Sequence, residues 1–103
     1  MSKVAGKMYS IDELKSLVAP VAESYGVSKV YLFGSAARGD NDENSDYDFC
    51  IDKGNMRGLI AFSGFFQDLR EAIGRDIDLV TTKNSNKELL KAILSEGIII
   101  YGG

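Results

Sequence analysis

Residues 34–48 hold most of the chemistry that this sequence can offer: Gly34-Ser35-Ala36-Ala37-Arg38-Gly39, five polar residues, then Ser45-Asp46-Tyr47-Asp48. The Gly-Ser pair follows an apolar run, Val30-Tyr31-Leu32-Phe33, and so sits where a strand turns into a helix. Such a turn presents backbone N–H groups and a hydroxyl, and the missing Cβ lets a phosphate oxygen come close. Asp46 and Asp48 supply the opposite chemistry. Two residues apart on an extended strand, they project to one face about 6.6 Å apart at ~3.3 Å per residue, aiming hard oxygen ligands at one site. Phosphate donors beside paired carboxylates point to chemistry on a Mg²⁺-bound nucleotide.

Those residues need a scaffold, and composition bounds it. The 103 residues are 45% hydrophobic, enough for one core, so residues 1–103 are expected to form a single domain without a second one for an acceptor. Twelve basic against fifteen acidic side chains give a formal charge of −3, which offers little electrostatic support for direct nucleic-acid binding. The acidity is concentrated: six of the thirteen residues from Asp40 to Asp52 are acidic and none is basic, so bound cations or solvent must relieve their repulsion. With no histidine and only Cys50, the sequence excludes Ser-His, Cys-His and zinc-histidine mechanisms as well as an intrachain disulfide. Acid–base work falls to carboxylates. No apolar run approaches the ~20 residues of a membrane span, and the polar start lacks the apolar core of a signal peptide, so a cytoplasmic protein is expected.

Periodicity supplies the elements. Ser10-Ile11-Asp12-Glu13 is a capping-box pattern, and Leu14, Leu17, Val18 and Val21 follow at helical spacing, predicting a helix over 11–25 that Pro20 should kink or shorten and Gly26 should end. Residues 28–33 read as a strand, 34–38 as a short helix, 40–45 as a polar loop and 46–52 as a second strand. Leu59, Phe62, Phe66, Leu69 and Ile73 form the apolar face of a helix ending near Gly74. Residues 76–80 read as a third strand, Ser85-Asn86-Lys87-Glu88 as the capped start of a helix through about Ser95, and 98–101 as a last strand. This order predicts an α/β (α+β) domain with helices packed on a small sheet. Asp76 and Asp78 would share one strand face, and alternation cannot choose between them.

Taken together, Gly-Ser-x-Ala-Arg-Gly, five residues, Ser-Asp-x-Asp and a later Asp78-Leu79-Val80 closely resemble the minimal nucleotidyltransferases of the DNA polymerase β superfamily. The resemblance implies a small mixed sheet with helices on one side, and transfer of a nucleotidyl group, AMP from ATP or another nucleoside triphosphate, to a hydroxyl. It also implies that Gly34 and Ser35 hold the triphosphate, that Asp46 and Asp48 bind two Mg²⁺ ions, and that Asp78, lying directly before Leu-Val, completes the metal site; Arg38 is a candidate phosphate contact, with a plain surface position on the short helix as its alternative. The implied acceptor is a helical HEPN-type partner, paired with this chain as toxin with antitoxin. Ala36 departs from the bulky or basic residue common after the Gly-Ser, and Phe49 replaces a commoner Leu. Ser45 is expected to shape the approach to the strand, and Cys50 to be a buried apolar residue.

Rival readings are weaker. A calcium loop starting at Asp40 would put Ser45 in place of the required glycine and Ile51 in place of the bidentate glutamate, and a Walker P-loop lacks its Gly-Lys-Ser/Thr. Two alternatives stay open: a binding-only antitoxin subunit, homo- or hetero-oligomeric, and an adenylyltransferase acting on a small molecule, as in the aminoglycoside enzymes that share the motif but carry a further domain.

Overall fold

The computed structural model describes residues 8–83 and 86–102. Its elements run α1 (Ile11–Tyr25), β1 (Lys29–Phe33), α2 (Gly34–Arg38), β2 (Tyr47–Asp52), α3 (Gly58–Ile73), β3 (Ile77–Thr81), α4 (Lys87–Glu96) and β4 (Ile98–Tyr101). The strands form one mixed sheet in the order β3-β2-β1-β4, with β1 antiparallel to both β2 and β4 and β2 parallel to β3. The antiparallel β1–β2 pair is joined through α2 and the acidic loop, whereas the parallel β2–β3 pair needs a crossover, which α3 provides.

α1 begins as its sequence dictates. The Ser10 hydroxyl accepts from the Glu13 N–H at 3.1 Å and the Glu13 carboxylate accepts from the Ser10 N–H at 2.9 Å, a reciprocal capping box. Pro20 does not shorten the helix: its 15 residues continue to Tyr25, with Pro20 on the exposed side. Leu14, Val18 and Ala22 of α1 and Phe65, Leu69 and Ile73 of α3 cover one face of the sheet, meeting Val30, Leu32, Phe49 and Ile51. Each large apolar side chain buried there contributes about 1.5–3 kcal/mol. Phe49, with no exposed surface, is absorbed by this packing.

Three expectations need correction. Leu59 is not part of the buried face of α3: it is 78% exposed, because the first turn of the helix precedes the turns that meet α1 and the sheet, and Phe65 is the deeply buried aromatic. The expected cap Ser85 lies outside the described residues, and α4 starts one residue later, with the Asn86 side chain accepting from the Leu89 N–H at 3.0 Å. The helices are not confined to one side. Cys50 alternates away from the α1/α3 core yet is fully buried, Ile93 of α4 is buried outside that core as well, and α2 and α4 pack on β1 and on each other. Among the described residues, no helix is long and apolar enough to cross a membrane.

Candidate active site

Strand register determines where the acids go. On the sheet face opposite α1 and α3, Phe33 of β1, Asp48 of β2 and Asp78 of β3 lie side by side: Asp48 pairs with Phe33 across the antiparallel ladder and with Asp78 across the parallel one. Chain positions thirty residues apart thereby become neighbours, which brings the Asp48 and Asp78 carboxyls together. Burial is the main reason Asp48 is pushed up to about 6, followed by the hydrogen bond to Asp78 and the charges of Asp78 and Asp46, while Arg38 pulls the other way. Asp48 is half-buried, whereas Asp78 is exposed.

The turn after β1 sits directly against this pair. Phe33 is extended, Gly34 has φ +72°, and no side chain caps the first turn of α2. A Cβ at Gly34 would overlap Asp48 Oδ2. Glycine is therefore required twice, for the left-handed φ and for the approach of the carboxylate. The backbone N–H groups opening α2, with Ser35, adjoin the acids, so an anion held at the turn would lie beside any cation held by the carboxylates. Ala36 and Ala37 pack against the main core, which explains the small residue after the Gly-Ser. Arg38, at the end of α2, forms an exposed ion pair with Asp40 at 3.2 Å while its charge still reaches Asp48.

Asp76 has a different setting. It precedes β3, its exposed carboxylate accepts from Arg70 Nη2 at 2.9 Å, and its carbonyl accepts from the Tyr47 N–H at 3.2 Å. Only Asp78 is in register with Asp48.

Asp46 lies one residue before β2, not within it, and is exposed. Its approach is shaped by a self-closing turn: Asp42 Oδ1 accepts from the Asn44 N–H at 2.8 Å and from the Ser45 hydroxyl at 3.1 Å, and Ser45 Oγ accepts from the Asp42 N–H at 3.1 Å. These bonds, the Asn44 N–H first, hold the Asp42 carboxyl below its usual range. Among the described residues no three acidic or cysteine side chains are gathered as a ready metal-holding group. What the fold brings together is the Asp48–Asp78 pair, with Asp46 contributing its charge from the loop. The donor set fits a hard divalent cation: carboxylate oxygens crowded enough to push Asp48 up to about 6, beside a turn too tight for a Cβ.

Arg75 was not legible as a site residue. It is 9% exposed, stacks its guanidinium 4.9 Å above the centre of the Tyr47 ring, and donates to the carbonyls of Asp42 and Ser45. An arginine before a strand reads as a surface charge; the missing cation in the acidic 40–52 stretch was the signal that could have identified it. Cys50 is buried and its thiol is pushed up to about 11, first by burial and then by Asp52, so it is not a nucleophile. A cavity of about 400 Å³ lined by Lys15 and residues 99–102 lies on the β4 side, away from these groups.

Comparison with known proteins identifies the family and the fold. The Thermococcus cleftensis protein adenylyltransferase MntA is 27% identical over 97 residues, spanning 90% of this chain and 98% of that one. A solved structure assigned as a minimal nucleotidyltransferase superposes with a TM-score of 0.76 at 26% identity, covering 90% of this chain and 98% of the other. A chain of the solved complex between tri-AMPylated Shewanella oneidensis HEPN toxin and MNT antitoxin shares the fold, with a TM-score of 0.69 at 20% identity over 91% and 74% of the two chains. The sequence profile described as "Polymerase beta, Nucleotidyltransferase" matches residues 16–103, which include the Gly34 turn and all three acids that the sheet and its loop present. The chain belongs to the polymerase β nucleotidyltransferase family.

Proposed function

We propose that this chain transfers AMP from Mg²⁺-bound ATP to a hydroxyl on a HEPN-type partner protein, acting as the antitoxin of a pair. The observation that carries the reading is the packing of Asp48, paired in register with Asp78, against the Cβ-less turn at Gly34. Phosphate donors and carboxylates share one site, as transfer from a metal-bound triphosphate requires. The protein-adenylyltransferase name of one relative and the AMPylated HEPN toxin in a fold neighbour support the acceptor.

In this reading the N–H groups at Gly34 and Ser35 bind phosphate oxygens, and Arg38 can exchange its exposed bond to Asp40 for the triphosphate. Asp46, Asp48 and Asp78 would hold Mg²⁺. When bound, the metal supplies charge neutralisation on the triphosphate and polarisation of the attacked phosphoryl group. The chain's own part is orientation and proton transfer. Asp48 faces the nucleotide complex from the half-buried side, and Asp78, on its separate strand, accepts the acceptor hydroxyl's proton. That oxygen bonds to the α-phosphorus, the bond to the bridging oxygen breaks, and pyrophosphate leaves. Asp46 and Asp78 are both exposed, so a protein surface can reach the site.

The test is incubation of the chain with Mg²⁺-ATP and its HEPN-type partner, followed by intact mass measurement of both. AMP added to the partner, and lost with Asp78→Asn, is expected. A stable complex without mass addition would replace this reading with a binding-only antitoxin, and efficient transfer to a free small molecule by the chain alone would remove the partner.

A further inference from the structure

The residues flanking Asp46 are held from both sides by neighbouring residues of one short segment. On the N-terminal side, Arg75 Nη2 donates to the carbonyl of Ser45 and, at 3.2 Å, to that of Asp42. On the C-terminal side, the Tyr47 N–H donates to the Asp76 carbonyl at 3.2 Å. Asp46 itself, exposed and outside the ladder, lies between these two anchors. The Arg75 end is in turn fixed by packing. Its guanidinium lies over the Tyr47 ring, and the Tyr47 hydroxyl accepts from the Tyr9 N–H at 3.0 Å while the Tyr9 hydroxyl donates to the Ile73 carbonyl at 2.6 Å. A planar guanidinium can stack on an aromatic face while its N–H groups reach two carbonyls; an ammonium cannot do both.

We propose that Arg75 is a positioning residue for nucleotidyl transfer: by clamping the 42–45 turn onto Tyr47 it holds the Asp46 carboxylate on the same side as Asp48, so that both serve one cation. The proposal rests on the function given above. It explains why a nearly buried cation belongs beside this site: the clamp grips main-chain carbonyls of the loop that carries Asp46, and so orders that loop through its backbone.

The experiment compares Arg75→Met, which keeps bulk over Tyr47 but cannot donate, with Arg75→Lys, alone and combined with Asp46→Asn. Hydrogen exchange is read first, in nucleotide-free protein. The Asn44 and Ser45 amides, both bonded within the turn, should exchange about tenfold faster in Arg75→Met, while those of Phe49 to Ile51 stay unchanged. In the transfer assay, half-saturation by Mg²⁺ should rise about tenfold with a smaller change in maximal rate, Arg75→Lys lying between. In the Asp46→Asn background, Arg75→Met should add little, since the group it positions is already disabled. Unchanged exchange in the turn would overturn the clamp. An undiminished Mg²⁺ effect in the Asp46→Asn background would overturn its action through Asp46. Should Arg75→Met fail to fold, Arg75→Lys carries both comparisons. A wild-type chain that transfers nothing refutes the proposed function instead, while the exchange result still decides the clamp.

Discussion

Replacing Asp48 by Asn should stabilise the nucleotide-free protein while abolishing its transfer activity. The Asp48 carboxyl moves from 3.8 in a free chain to about 6 in the fold, mainly because it is buried and because Asp78 and Asp46 crowd it. Below pH 3.8 the group is protonated both folded and unfolded, and the folded state gains the full benefit of the neutral form. As pH rises through about 6 that contribution is lost, since the fold must then hold an ionised carboxylate in a site that disfavours it. At about 1.4 kcal/mol per pKa unit the ceiling is about 3 kcal/mol, and solvent access to a half-buried group reduces it to about 1–2 kcal/mol. Asn keeps the shape and can donate to Asp78, so the variant should recover this at pH 7.5, a gain of roughly 5–10 °C in Tm for a domain of this size. Thermal unfolding in EDTA at pH 7.5 and pH 4.5 measures it, and by pH 4.5 the gain should fall to about a third. Adding Mg²⁺-ATP should raise the Tm of the wild type and not that of the variant. An Asp48→Asn variant no more stable than wild type at pH 7.5, or equally stabilised at both pH values, would refute the electrostatic argument.

Gly34→Ala forces a left-handed φ on a residue with a Cβ, costing about 1–2 kcal/mol, and pushes that Cβ into Asp48; calorimetry should show ATP binding reduced far more than the Tm. Asp76→Asn breaks an exposed pair with Arg70, worth at most about 1 kcal/mol, and should leave transfer intact, whereas Asp78→Asn should retain nucleotide binding and lose transfer; the reverse ranking would exchange their roles. Cys50, pushed up to about 11 under burial, should resist alkylation at pH 7.5 until denaturant unfolds the chain.

The sequence carried the elements and the types of residue, and left undetermined whatever depends on strands far apart in the chain. Ser10 and Glu13 fix the start of α1 within one turn, so the capping box could be read from four letters. The choice between Asp76 and Asp78 could not be made from alternation, because both share a parity; the parallel register opposite Asp48 separates them. Leu59 and Phe65 lie within a turn or two of each other on an apolar helix, and only the position of α1 tells which one is buried. Arg75 was hidden for a related reason. The carbonyls it grips are 30 and 33 residues away in the chain, and no side-chain pattern announces a main-chain acceptor.

Asp48 links stability to function through one conflict. A cation site must gather negative charge, and in the nucleotide-free protein Asp48 is relieved by Arg38 at the rim and, below about pH 6, by its own proton. Arg75, the nearly buried cation nearby, directs its guanidinium onto the Asp42 and Ser45 carbonyls and the Tyr47 ring. An arginine paired directly with Asp46 or Asp48 would make the fold more stable at neutral pH and occupy the oxygens that a metal needs. In the proposed function a metal-bound nucleotide would relieve this crowding, so affinity for that complex should fall as pH drops through about 6, where proton and cation compete for the Asp48 oxygens. A binding profile that is flat across pH 5–7 in the wild type would show that protonation of Asp48 plays no part in nucleotide binding.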